Sequence, residues 1–131
     1  MDKKLKKIIA SSTFEVIHGR FVYTKVSKEP RLHNHFLISR DKDEITVVTE
    51  EGNLGELKII ERNKDYWTLI ALNVSAPFYS VGFLAAVSSA IAKANRDVLI
   101  VSTYSKDYIL VQHDFLDGVK RVLFALGFKD K

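Results

Sequence analysis

The rhythm of apolar residues between Asp65 and Lys131 limits the fold more than any other feature of the chain. From Asp65 to Val74 the period is two, with Trp67, Leu69 and Ala71 on one side and Ile70, Leu72 and Val74 on the other. A strand that is apolar on both sides lies inside a sheet. Ser75-Ala76-Pro77 ends it, because proline cannot serve a central ladder. From about Ser80 to Asn95 the period turns helical, with Leu84, Val87, Ile91 and Ala94 on one stripe. Ala85, Ala86, Ala90 and Ala92 favour the helix, and Asn95 suits a left-handed residue closing it. Val98-Leu99-Ile100-Val101 is a continuous apolar run, as a central strand requires. Tyr104 to Asp107 reads as a turn and Tyr108 to Val111 as the returning strand. Asp114 reads as the N-cap of a last helix, with Asp117 in its first turn, where a carboxylate suits the helix dipole. Phe115, Val119, Val122, Leu123 and Leu126 form its apolar face, Gly127 stops it, and Phe128 begins a short final strand.

Strand, helix, strand, strand, helix, strand is the βαββαβ order of a ferredoxin-like unit, with helices on one face of an antiparallel sheet. The expected class is therefore α+β. The boundaries read as a strand-rich lobe over residues 1–62 and a ferredoxin-like domain over 63–131.

The first half is less regular. Thr13 to Val26 reads as a long strand bent at Gly19, or as two strands joined there. Ser27 to His35, with Pro30, is a loop. Phe36–Ser39 and Glu44–Thr49 form a hairpin around the charged tip Arg40-Asp41-Lys42-Asp43. Glu51 to Gly55 reads as a further loop. Lys3, Lys4, Lys6 and Lys7 crowd the N-terminus, which reads as a solvated flap or, more sharply, as an arm that binds phosphates.

Composition sets further bounds. The 131 residues hold enough apolar side chains, 47%, to exclude disorder. With no cysteine there is no disulfide framework, zinc ribbon or cysteine nucleophile. No apolar run approaches the roughly 20 residues that span a bilayer, so a soluble cytoplasmic protein is expected, without a membrane partner. A net charge of +4 is no nucleic-acid signature by itself, and nucleic acid is not the expected partner. His33 and His35 would share one face of a strand, but no third metal ligand accompanies them. No phosphate loop, nucleophile elbow or His-Glu-x-x-His motif is present. No catalytic residue, metal or cofactor is expected.

Val81-Gly82-Phe83-Leu84-Ala85, followed by Val101-Ser102-Thr103-Tyr104-Ser105-Lys106-Asp107-Tyr108-Ile109-Leu110-Val111, resembles a small amino-acid-binding family. This is the tandem ACT-domain group, CASTOR-like and similar to aspartate-kinase regulatory domains. Its members carry a Gly-x-Leu-Ala helix start and a Ser-Thr-Tyr-x-x-Asp-Tyr-x-Leu-Val hairpin. The resemblance extends into the first half, where Arg40 to Val48 is similar to the hairpin of a degenerate first ACT-like lobe. The family usually has Gly-Pro before the second helix, with an acidic residue shortly after, where this chain has Ser75-Ala76-Pro77-Phe78-Tyr79. That difference alters the mouth of the expected site.

An amino-acid site must satisfy a carboxylate, an ammonium and a side chain. Free amides at a helix start suit the carboxylate, which points to Val81, Gly82 and Phe83. The resemblance places Asp107 at the ligand, with Ser102, Thr103 and Tyr104 adding main-chain and hydroxyl contacts. Each has a plain structural alternative. Gly82 can serve helix-to-sheet packing, and Asp107 can close a turn by accepting a nearby N–H. Ser102 and Thr103 can be ordinary strand residues, and Tyr104 can cover the core edge. The reading is a regulatory protein that binds an amino acid or similar metabolite at an ACT lobe interface, without catalysis, as a homodimer. Its rivals are an interaction module without a ligand, its site filled by Phe78, Tyr79 or Phe83, and a nucleic-acid binder using the N-terminal lysines.

Overall fold

The computed structural model describes residues 1–74 and 81–131. The expected end of the strand at Ser75-Ala76-Pro77, and with it Phe78 and Tyr79, lies outside the described residues. The chain divides into two compact units, one of residues 1–18 with 68–131 and one of residues 19–67.

The larger unit opens with a helix, α1 (Lys3–Ala10). The N-terminus is therefore not a solvated flap. Leu5 and Ile9, four apart, fall on one helix face and are buried, while Lys3, Lys4, Lys6 and Lys7 are exposed. Lysines near a helix start oppose the dipole, so the cap and the buried pair must hold the helix. Asp2 supplies the cap, its Oδ1 accepting from the Leu5 amide at 2.8 Å. Asp2→Ala is expected to cost about 1 kcal/mol, measured by urea denaturation, with Asp2→Asn close to wild type.

The long strand β1 (Thr13–Val26) follows, its residues to His18 belonging to the larger unit. The other elements of that unit are β5 (Trp67–Asn73, from Thr68), α2 (Phe83–Lys93), β6 (Leu99–Ser102), β7 (Asp107–Gln112), α3 (Leu116–Leu126) and β8 (Lys129–Asp130). From β5 onward this is the expected βαββαβ order, and the class is α+β with a ferredoxin-like second half. The strands run β1-β5-β7-β6, with β6 and β7 antiparallel, so β6, expected as a central strand, stands at the end of the order with alternate residues exposed. β8 lies parallel to β1, pairing Thr13 with Lys129 and Phe14 with Asp130. The N-terminal strand thus sits beside β5, and the two-residue β8 lies outside it.

Trp67 to Leu72 are all buried, as a strand apolar on both faces requires. One core joins the three helices to the sheet, with Leu5 and Ile9 of α1, Phe14, Ile70 and Leu72, Val87 and Ile91 of α2, Ile109 and Val111, and Val119 and Leu123 of α3. Asn95 is left-handed just beyond α2, and Gly127, also at positive φ, closes α3. Asp114 does not cap α3. A 3₁₀ turn, His113–Phe115, intervenes, so the residue before the helix is Phe115, which makes no side-chain cap. Asp117 does occupy the first turn.

The smaller unit carries the rest of β1, then β2 (His35–Arg40), β3 (Ile45–Glu50) and β4 (Ile59–Arg62). The β2–β3 hairpin and its charged tip are as expected, with Asp41 Oδ1 accepting from the amides of Asp43 and Glu44. β1 pairs antiparallel with β3 on one side and with β4 on the other, the latter through a bulge. Residues Glu51–Glu56, read as a loop, form a 3₁₀ turn. It delivers Leu54 to a small core of Val26, Val47 and Leu57. No helix among the described residues is long and apolar enough to cross a membrane.

Candidate ligand-binding site

The seven candidate residues fall into two groups, both within the larger unit. Val81, Gly82 and Phe83 lie at the start of α2. Gly82 is its N-cap residue, with φ of +83°. An L-residue with a side chain rarely takes that angle, so the chain enters the helix by a turn that favours glycine. A Cβ at Gly82 would meet the Leu5 side chain of α1 at an ordinary 3.6 Å. The backbone angle, and not crowding, is what selects glycine. The Gly82 carbonyl accepts from the Ala86 amide at 2.9 Å, the first turn of the helix.

Flanking Gly82, the two side chains part. Val81 is 91% exposed, whereas Phe83 is buried, its ring edge-on to Phe128 with centroids 5.8 Å apart. Phe83 therefore belongs to the core, and only its backbone amide is left for recognition.

Ser102, Thr103, Tyr104 and Asp107 meet at the closed end of the β6–β7 hairpin. Ser102 and Asp107 are cross-strand partners. The Ser102 hydroxyl donates to Asp107 Oδ1 at 2.6 Å, a short, charge-assisted bond. Among the described residues Asp107 thus accepts a hydroxyl, and not the turn N–H of its structural alternative. The Thr103 amide and hydroxyl both donate to the Lys106 carbonyl, at 2.8 and 3.1 Å, which closes the turn. Tyr104 stands 85% exposed beside it and does not cover the core edge. The hairpin end is thus a hydrogen-bonded turn that carries the Asp107 carboxylate and the exposed Tyr104 ring. The other carboxylate oxygen of Asp107, which no described residue hydrogen-bonds, can accept from an ammonium. Leu5, beside Gly82, was not among the expected neighbours, although its four-residue spacing from Ile9 announces it.

Among the described residues no third metal ligand joins the histidine pair. His33 lies in the turn before β2, and His35 Nδ1 is hydrogen-bonded to Thr49 Oγ1 at 2.8 Å. No group of three His, Asp or Glu among the described residues is placed to hold a metal ion.

All seven candidate residues fall in one stretch that matches a known family model. Residues 63–124 match the ACT domain. The ACT segment takes in β5, α2, β6, β7 and most of α3, but not α1 or β1. No curated protein matches the chain. Solved structures similar to it include a Vibrio cholerae protein of unknown function, described as a possible transport protein. That likeness has a TM-score of 0.79 at 22% identity over 95% of this chain and 97% of that one. The ligand-free regulatory subunit of aspartate kinase from Thermus thermophilus aligns with a TM-score of 0.59 at 5% identity, over 86% and 95% of the two chains. A putative C-terminal regulatory domain of aspartate kinase from Porphyromonas gingivalis aligns with a TM-score of 0.55 at 12% identity, over 91% and 97%. At such identities the likeness speaks to the ACT fold alone.

Proposed function

We propose that this protein is a regulatory, non-catalytic module that binds an amino acid or a similar small metabolite through its ACT segment. One observation carries the reading. Gly82 opens α2 at positive φ, presenting the amides of the first helical turn, while the Ser102 hydroxyl of the β6–β7 hairpin holds one oxygen of the Asp107 carboxylate at 2.6 Å. The amides suit a ligand carboxylate and Asp107 suits its ammonium. The likeness to two aspartate-kinase regulatory domains supports a regulatory role. In this reading the strand-rich first half is a degenerate ACT-like lobe, as in tandem ACT proteins of the CASTOR-like kind.

The working form is a homodimer. β6 ends the strand order, and Ile100 on it is 39% exposed, so a second copy can pair with that edge. Ligand binding regulates by favouring one arrangement of the paired subunits over another.

A thermal-shift screen of the twenty amino acids tests the proposal. At least one is expected to stabilise the protein, by about 2.7 kcal/mol at 100 times its Kd, which reads as a rise of several degrees. Asp107→Asn is expected to remove most of that rise while leaving the unliganded protein near wild-type stability. A screen in which no amino acid acts, or one whose hit stabilises Asp107→Asn equally, overturns the reading.

A further inference from the structure

We propose that the smaller unit holds a second ligand site, for a phosphate group, free or carried by a small phosphomonoester, gripped by Arg20 and Arg62 at Tyr66.

Two guanidiniums gather on one aromatic ring. That of Arg20 lies 3.7 Å over the centroid of Tyr66, and that of Arg62 lies 5.3 Å from the same centroid. All three residues belong to the smaller unit. Arg62 stands opposite Thr24 in register, whereas Glu61 stands opposite Lys25 and Glu50 opposite Phe21. Successive strand residues leave opposite faces, so the carboxylates of Glu61 and Glu50 leave the face away from Arg62.

The two cations repel each other, and cation–π attraction to Tyr66 holds them together. Carboxylates nearby offset that repulsion only in part. Glu51 is 3.6 Å from Arg20 Nη2, beyond hydrogen-bond length, and the two side chains are 41% and 45% exposed. Arg62 has no ion-pair partner among the described residues, and its Nε donates to the Asn63 carbonyl at 3.3 Å.

Arg20 Nε is the sharper observation. It is buried, and no described residue accepts its hydrogen bond. Nε and Nη2 form one edge of a guanidinium, the fork that takes two oxygens of one anion. On Arg20 that fork faces only the loosely placed Glu51 carboxylate. An incoming anion reaches it by taking the place of Glu51, whose exposed side chain can swing into water. Phosphate suits the fork and Arg62 together. Without Glu51 the two guanidiniums carry two positive charges, which a phosphate near its second ionisation balances. Two of its oxygens take the Arg20 fork and a third is left for Arg62, whereas a carboxylate spends both of its oxygens on one guanidinium.

The experiment is a ¹⁵N–¹H NMR titration of the full chain with inorganic phosphate, methyl phosphate and acetate, at an ionic strength held constant with sodium chloride. It reads the arginine Nε–H signals beside the backbone amides. Both phosphates are expected to shift the Arg20 Nε–H signal saturably, together with the amides of Arg62 and Tyr66, and acetate far less. Tighter binding of methyl phosphate assigns the site to a phosphomonoester, and tighter binding of inorganic phosphate assigns it to the free ion. Arg62→Gln, at an exposed position, is expected to weaken both phosphates about tenfold. Glu51→Gln, also exposed, is expected to tighten them severalfold, because it removes the competitor for Arg20. Asp107→Asn is expected to leave these shifts unchanged, which keeps this site separate from the one proposed on the ACT segment. No saturable shift at Arg20 Nε–H, an equal response to acetate, or undiminished binding by Arg62→Gln overturns the proposal. So do shifts confined to residues 81–107 that vanish with Asp107→Asn.

Discussion

Phe14→Ala is expected to lower the unfolding free energy by about 3–5 kcal/mol, read as a lower urea midpoint at unchanged slope. Phe14 is fully buried in the core of the larger unit, and its ring meets Phe124 edge-on at 5.2 Å. Its backbone is fixed as well. Phe14 pairs with Asp130 of β8, and its carbonyl accepts from the Lys131 amide at 3.0 Å. The core around it combines side chains from α1, α3 and the sheet. Elements tied by their own hydrogen bonds cannot close on a vacated ring, so most of the cavity remains, with its cost. Phe124→Ala is the control. That ring is 47% exposed, so its loss removes the edge-on contact and little buried area, and about 1 kcal/mol is expected. If Phe14→Ala costs no more than Phe124→Ala, the N-terminal eighteen residues are not part of the larger unit's core.

That dependence explains what the sequence could not convey. The second half was legible because its signals are local. Two-sided apolar character marks β5, a change of period marks α2, and Gly127 marks the end of α3. Nothing local tells Thr13–His18 to lie beside β5 rather than with the residues that follow it, since β1 ends at Val26 and β5 begins only at Trp67. α1 was hidden for another reason. Four lysines among seven residues dominate the reading as a charge run, and only Leu5 and Ile9 reveal the face beneath. β4 carries no strand signal at all, because its four residues are all exposed and none alternates. Asp114 misled because capping residues also favour turns, and here the chain makes a 3₁₀ turn first.

The candidate site was legible in its parts. Val81, Gly82 and Phe83 read as a helix start, and Tyr104 to Asp107 as the turn of a hairpin, and both elements are where they are expected; the left-handed angle at Gly82 was not foreseen. The same reasoning gave no means of separating Phe83 from its neighbours. Its side chain turns inward because the helix stripe runs through Phe83, Val87 and Ile91, one residue away from the stripe that begins at Leu84.

Gly19→Ala is the second large effect, expected at about 1–3 kcal/mol. Gly19 lies within β1 at φ of +123°, an angle that L-residues with a side chain rarely adopt. An added Cβ would also come within 2.9 Å of Glu50 Oε1 and 3.0 Å of its Cδ. The two costs separate experimentally. The crowding comes from the far end of a flexible side chain, which can swing away, whereas the backbone angle is fixed by strand pairing immediately beyond it, where Phe21 faces Glu50. Glu50→Ala removes the crowding alone. In a double-mutant cycle, Glu50→Ala is therefore expected to recover only a minor part of the loss caused by Gly19→Ala, with each variant measured by urea denaturation. Full recovery would mean that the side-chain contact, and not the left-handed angle, requires glycine. In that case β1 could pass this point as an ordinary extended strand, and the bend read from Gly19 would have no backbone cause.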